Sequence, residues 1–272
     1  MRRHLSRALT YLVLILVGLS MVVPFLAMLS QSLKPIREYL KYPFDWIPQN
    51  PTLANYQLLF RDSLVFRWTV NSLLIALGCV LLQIMTGSLA GYGFARKQFR
   101  GRDIIFWIMM LQLMMPYQVT VIPLFIFLSK LKLVDTYWAF WLPFATNVFS
   151  TFLMRQAMIG IPREYDEAAK IDGATDFQIY WRVLLPMCRP TVAVMAIFTF
   201  LQLWNDFFYA LIMTQSNEMK TLQVGLARLQ PIGGQPGVLM AGATYAFLPT
   251  LILFITQQKR IVRGLQAGGL KG

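Results

Sequence analysis

Apolar residues arrive along this chain in six long runs, at about 8–30, 69–94, 104–129, 137–154, 191–213 and 238–257, with polar stretches between them. A helix needs about 20 residues to cross the roughly 30 Å hydrocarbon core of a bilayer. The pattern therefore predicts six transmembrane helices and an all-α polytopic membrane protein. Pro116 and Pro123 interrupt the third run. A kink is expected there, with freed backbone groups satisfied by neighbouring helices or lining a cavity. The first run exceeds the length of a signal-peptide core, and no small-residue cleavage site follows it, so it is expected to be a retained helix.

Between the fourth and fifth runs lies a segment of different character, "IPREYDEAAKIDGATDFQIYWRVLLP", residues 161–186. Pro162 suits the first turn of a helix, and Glu164, Asp166 and Glu167 follow near the positive end of its dipole. Ala168 and Ala169 are strong helix formers with little side-chain bulk. Gly173 is placed to stop the helix in a left-handed cap. Thr175 with Gln178 makes a capping box for a second helix, and Pro186 is expected to end the unit. The spacing predicts helix, glycine turn, helix: an elbow. It is either a well-capped connector or a docking surface, where alanines permit close approach and acids supply orientation.

Composition supports the membrane assignment. Charged residues make up 14% and hydrophobic residues 57% of the chain, whereas an ordinary soluble domain is about a quarter charged. The net charge of +13 is topological in its placement, because Lys and Arg cluster beside the ends of apolar runs. Sixteen fall on the side of the termini, residues 96–102 and residues 155–190; nine fall on the other side, diluted over longer loops among acids. The positive-inside rule then predicts cytoplasmic termini and a cytoplasmic elbow. The opposite loops fall at about 31–68, 130–136 and 214–237, the first carrying the proline- and aromatic-rich "YPFDWIPQNPTLANYQLLF". No nucleic-acid module or aromatic-interleaved basic stripe is present. Cys79 and Cys188 suggest neither a disulfide framework nor a metal site, and the single His4 lies in the N-terminal tail.

Glu167-Ala168-Ala169, then Gly173, then Val183-Leu184-Leu185-Pro186 resembles the EAA loop of ABC importer permeases, with Val183 where that pattern has Ile. Around it, "IPLFIFLSKLKLVDTYWAFWLPF", "NSLLIALGCVLLQIMTGSLAGYGFAR", "LQLWNDFFYALI" and the "VRGLQAGGLKG" tail resemble the carbohydrate-uptake subfamily, most of all the smaller permease of maltose-type systems. The resemblance implies a type I ABC importer permease fold in the bacterial or archaeal inner membrane. It implies a second permease subunit, an ATPase dimer and an external substrate-binding protein as partners, with the bilayer as solvent. The elbow becomes the coupling helix: Glu167, Ala168, Ala169 and Gly173 match the motif, and Glu164 and Asp172 join them as neighbouring charges. The tail through Gly264, Ala267, Gly268, Gly269 and Gly272 resembles one that contacts the ATPases; its other reading is a disordered basic end.

A phosphate-binding loop requires Gly, four residues, then Gly-Lys-Ser/Thr. Gly264 and Gly269 have the glycine spacing, but Leu270 and Lys271 follow. ATP and magnesium are therefore expected on a separate ATPase, with no cofactor bound by this chain.

Asp206, beside Asn205 and followed by Phe207 in the fifth run, is essentially the one acid within the apolar runs. A carboxylate at mid-bilayer costs about 2.5–3.5 kcal/mol on insertion scales, so it is expected to face a cavity or a partner. Either it makes a structural interhelical bond, or it meets sugar hydroxyls beside aromatic rings that cover apolar sugar faces. Tyr117 and Gln118, next to the third run's kink, are further cavity candidates. Gly87 and Gly91 form a small-residue pair expected at a close helix contact. The organisation expected is an N-terminal span and external segment over 1–67, a transmembrane core over 68–260 containing the elbow 161–186, and a tail over 261–272. The rival function is a secondary transporter or channel working as a homo-oligomer. It would need an ion relay that a lone Asp206 does not supply. A membrane-embedded enzyme would need a catalytic constellation that the residues do not provide.

Overall fold

A computed structural model describes residues 2–39, 45–61, 63–229 and 236–269. Its elements are helices: α1 (Arg2–Ser32), α2 (Ala54–Arg61), α3 (Ser63–Arg96), α4 (Arg102–Leu111), α5 (Gln118–Lys130), α6 (Trp138–Trp141), α7 (Val148–Ile159), α8 (Glu164–Ile171), α9 (Asp176–Met187), α10 (Arg189–Trp204), α11 (Phe208–Met213), α12 (Leu222–Arg228) and α13 (Pro236–Gly269). No strand occurs among the described residues. The chain divides into two units, one of residues 1–66 with 225–250 and one of 67–224 with 251–272.

In the first unit, α1 is exposed throughout Leu9–Leu26, an all-round apolar surface suited to lipid. Beyond it the chain is tied down by side chains. Asn55 is buried and donates to the carbonyls of Ser32 and Lys34 at 2.8 Å each. Ser32 and Tyr56 share a hydroxyl contact at 2.8 Å. Glu38 accepts from the backbone amides of Gln49 and Asn50. Gly237 lies so close to the Asn55 amide that a Cβ would sit 2.6 Å from it.

The second unit is built on α3. Towards its N-terminal end Trp68 donates to the Asn217 carbonyl at 2.7 Å, Asn71 donates to the Glu218 and Lys220 carbonyls, and the Ser72 hydroxyl accepts from the Leu222 amide. In its middle, Gln83 is 1% exposed, donates to the Phe144 carbonyl at 2.9 Å, and accepts from Ser150 at 3.1 Å and Thr199 at 2.8 Å. Thr86 donates to the Ala145 carbonyl at 2.5 Å. Those carbonyls need partners because the fourth apolar run is broken. Its helices α6 and α7 are separated by residues 142–147, and Asn147 caps α7 by accepting from the Phe149 amide. The Gly87 and Gly91 expectation holds: a Cβ at Gly87 would meet the Ser150 Cβ at 3.0 Å, and one at Gly91 the Met154 Cβ at 2.6 Å and the Arg155 amide nitrogen at 3.0 Å.

The expected runs are also broken elsewhere. The third bends by 103° between α4 with its 3-10 extension to Met114 and α5. The break is at Pro116, preceded by an extended Met115 as proline requires, whereas Pro123 lies within α5 and does not interrupt it. The fifth stops at Trp204 and resumes at Phe208. Among the described residues three stretches, Leu9–Ser32, Leu64–Arg96 and Pro236–Gln258, are each long and apolar enough to cross a bilayer. The count becomes five if α4–α5 and α9–α10, bent by 78°, are each one span.

Two glycines on α3 test this packing. Gly91→Ala is expected to lower unfolding stability by about 1–3 kcal/mol, because the methyl meets backbone of α7 that cannot yield. Gly93 has nothing within 4 Å of its Cβ position, so Gly93→Ala should stabilise by up to about 1 kcal/mol through helix propensity. Denaturant titration of the detergent-solubilised chain reads both signs. In the same assay Gln83→Leu should cost about 1–3 kcal/mol, since it strands a buried carbonyl and two hydroxyls.

Candidate functional site

The elbow forms as the spacing predicts. α8 begins at Glu164 after Arg163, with Glu164, Asp166 and Glu167 in its first turn. Pro162 therefore stands before the helix rather than within its first turn. The helix ends in a Schellman motif: the Ala174 amide donates to the Ala169 carbonyl at 2.9 Å and the Gly173 amide to the Lys170 carbonyl at 3.0 Å. Gly173 takes φ +80°, a conformation that costs a residue with a Cβ about 1–2 kcal/mol. The Thr175–Gln178 capping box is present in both directions. Beyond it α9 widens to a π-helix over Ile179–Leu184. Pro186 lies inside its last turn, Leu185–Met187, so the unit ends at Cys188 rather than at the proline.

The helical period divides α8 into two faces. Glu164, Glu167, Ala168, Ile171 and Asp172 are exposed, spaced i, i+3, i+4, i+7 and i+8. Ile171 is 87% exposed, and Tyr165, Phe177 and Trp181 add half or more of their surfaces to the same exposed apolar set. Ala169 is on the other side, packed with Ala174 against the cluster of Met154, Met158, Ile179, Tyr180 and Leu184. The two motif alanines thus differ: Ala168 is outward, while Ala169 lets α8 lie close to its own core.

Asp166 is the acid that faces inward, and the expected site residues did not include it. Its Oδ2 lies 2.8 Å from Arg96 Nε at the end of α3, the two side chains being 15% and 5% exposed. Neither that Nε–H nor Asp166 Oδ1 makes a directed hydrogen bond, so the contact is an ion pair held by charge. Arg96 Nη2 donates to the Ile161 carbonyl at 2.8 Å. The next residue, Lys97, pairs with Asp176 at 2.5 Å, and its hydrogen bond holds the Asp176 carboxyl below the ordinary aspartate value. Behind them the Tyr180 hydroxyl meets Ser88 of α3 at 2.7 Å. The signal for Asp166 was available in the sequence, because it sits about half a turn away from Glu164, Ala168 and Ile171 on a helical wheel.

At the break between α10 and α11, Asp206 accepts from the Ala210 amide at 3.1 Å on Oδ1 and from the Tyr117 hydroxyl at 3.2 Å on Oδ2. The structure thus joins two of the expected cavity residues across elements and places the acid outside regular helix. Gln118, Asn205 and Phe207 are exposed, and the Asn205 amide turns back to the Leu201 carbonyl. In the tail, Gly264, Ala267, Gly268 and Gly269 continue the backbone of α13. Leu270, Lys271 and Gly272 lie outside the described residues.

Residues 83–266, which include the whole elbow and the Asp206 break, match the family described as binding-protein-dependent transport system inner membrane component. Similar proteins along nearly the whole chain include the arabinooligosaccharides transport system permease protein AraQ of Halalkalibacterium halodurans, 36% identical with all of both chains covered. Another is the maltodextrin transport system permease protein MdxG of Bacillus subtilis, 32% identical over 99% of this chain and 98% of that one. Among solved structures, a chain of a bacterial ABC transporter involved in the import of the acidic polysaccharide alginate superposes with a TM-score of 0.86 at 22% identity, covering 94% of this chain and 96% of that one. The fold is that of a type I ABC importer permease, and with the match extending over most of its length this chain belongs to the family of inner-membrane components of binding-protein-dependent transport systems.

Proposed function

We propose that this chain is one permease subunit of an ATP-driven importer for an oligosaccharide or related carbohydrate, and that the elbow couples it to a separate ATPase. The observation that carries the coupling is the outward face of α8 and α9. It presents Glu164, Glu167, Ala168, Ile171, Asp172 and Phe177 on a unit closed by a Schellman turn and a capping box and clamped to α3. A rigid, partly apolar face with acids around it matches what a partner surface needs: an anchor to bury and charges to set register. The carbohydrate class rests on the relatives, whose names specify arabinooligosaccharides, maltodextrin and galactooligosaccharides.

In this reading six spans leave both termini and the elbow in the cytoplasm, the broken runs α4–α5, α6–α7 and α10–α11 each crossing once. ATP and magnesium bind on the ATPase dimer, whose closure moves the elbow. A second permease completes the pathway, and an external binding protein delivers the substrate. The tail at Gly264, Ala267, Gly268 and Gly269 provides a further ATPase contact. The expected division into an N-terminal segment, a core over 68–260 and a tail over 261–272 fits this assignment of roles. Asp206 has both oxygens engaged by Ala210 and Tyr117, which favours its bracing role. Gln118, Asn205 and Phe207 are the exposed groups left beside it for substrate.

Purification of the tagged chain from its native host in mild detergent is expected to recover a P-loop ATPase and a second permease. Recovery as a homo-oligomer alone would select the secondary-transporter reading instead. Ile171→Asp should reduce ATPase retention by about 30-fold or more, the scale of one buried anchor, while leaving membrane yield intact. Gly173→Val, whose Cβ would meet no atom within 4 Å, should misalign the elbow chiefly through backbone strain. Gly173→Asn should retain most of the ATPase, because asparagine tolerates the left-handed region. Equal retention by Val, Asn and the native glycine would count against the elbow as the contact.

A further inference from the structure

We infer that Arg96 is the positioning residue through which movement of the elbow reaches the rest of the second unit, with Asp166 as its counter-charge and α3 as the connecting rod. The inference rests on the coupling reading above and adds to it the element that carries the displacement inward.

Besides the packing of Ala169, Ile179 and Tyr180 on the core and the Tyr180–Ser88 contact, three routes lead from the elbow into the unit. The covalent route forward passes through the π-helix of α9 and a 78° bend at Cys188, and a bent, irregular segment bends further under load. The covalent route backward passes through the turn at residues 160–163, whose Ile161 carbonyl is itself held by Arg96 Nη2. The third is the ion pair. Arg96 therefore grips the elbow at two points, the Asp166 carboxylate and the Ile161 carbonyl, on both sides of the start of α8. The neighbouring Lys97–Asp176 pair is 39% and 55% exposed, so water screens it and it contributes little.

The character of the Arg96 contact suits a joint. A hydrogen bond weakens steeply when it is rotated off axis, whereas a charge pair depends on distance alone. The Arg96–Asp166 contact is close but not directed, so it retains its energy as α8 tilts. It is also nearly dry, and removal of one partner strands the other charge in a poorly solvated place. From Arg96 the load has an unbroken helix to follow. α3 carries no proline or glycine-induced break over Ser63–Arg96, and towards its other end Trp68, Asn71 and Ser72 hold residues 217–222. Displacement at the elbow is thus delivered to the far segment as motion of one rod.

The test uses the complete transporter, purified with its ATPase and second permease and reconstituted in vesicles. A reporter, Gln118→Cys, is labelled with a membrane-impermeant maleimide with and without ATP. The native Cys79 and Cys188 are buried, and a chain lacking the reporter gives their background. With Arg96 intact, ATP is expected to change the labelling rate. Arg96→Gln should reduce that change by about fivefold or more per transporter that retains its ATPase, a coupling loss of ordinary size. Arg96→Lys, which keeps the charge, should retain most of the response. The swap Arg96→Asp with Asp166→Arg should restore at least about half of what Arg96→Asp loses, as coupled partners do. An unchanged ATP response in Arg96→Gln, or a swap that assembles but does not recover, overturns the joint. Should Arg96→Gln fail to reach the membrane, Asp166→Asn gives the same comparison from the other partner. A transporter whose Arg96-intact form shows no ATP response while retaining its ATPase would instead overturn the coupling reading itself.

Discussion

A backbone carbonyl inside a bilayer has no water to turn to, and leaving one unpaired costs several kcal/mol. This protein breaks its helices repeatedly, at Pro116, over 142–147 and at Asn205–Phe207, so the rest of the structure depends on how those breaks are satisfied. At the second of these breaks the partner is α3, which also holds the loop at 217–222. Its Gln83 and Thr86 take up the carbonyls of Phe144 and Ala145, and Asn71 takes up those of Glu218 and Lys220. α3 works as a polar spine inside an apolar fold, and its glycines at 87 and 91 allow α7 to approach closely enough for Ser150 to reach Gln83.

The same spine explains why the elbow is oriented. A short helix of eight residues has little stability of its own. α8 is fixed by caps at both ends of its turn, by Ala169 packed inward and by Arg96 on Asp166. With one face committed to the core, the other face is free to be specific. Glu164, Glu167 and Asp172 cannot rotate inward without exposing Ala169 and stranding Arg96. Orientation of the outward face is therefore a consequence of burial on the opposite face.

Much of this was legible before any coordinates. Capping chemistry is local, so Gly173 and the Thr175–Gln178 box could be read from spacing alone. Three of the apolar runs coincide with helices long enough to cross a bilayer, and the glycine pair located a helix contact. The breaks within runs were less visible, because hydropathy does not distinguish a straight span from a broken one when Leu142, Pro143, Phe144 and Ala145 are as apolar as their neighbours. Asn147 was the polar mark of that break, as an N-cap. Pro123 looked equivalent to Pro116 and is not: α5 continues through it, while Pro116 has an extended residue before it. The role of Arg96 was hidden for another reason. A cluster of seven residues with four positive charges reads as a topology signal, and topology explains the count without explaining which arginine is buried.

That double use follows from the geometry of a membrane helix. Positive charge accumulates where a span leaves the bilayer on its cytoplasmic side, and an elbow connecting two spans must leave at the same level. Acids on such an elbow therefore meet arginines on neighbouring spans without any further arrangement of the fold. What distinguishes Arg96 from Lys97, Arg100 and Arg102 is that it is the last residue of α3, with its side chain only 5% exposed against Asp166. Burial turns a charge that would serve orientation anywhere along 96–102 into one whose loss is felt, since a screened surface pair contributes little and a dry one is costly to break. A sequence selected only for topology could exchange these basic residues freely; the nearly dry pair with Asp166 singles out the first of them.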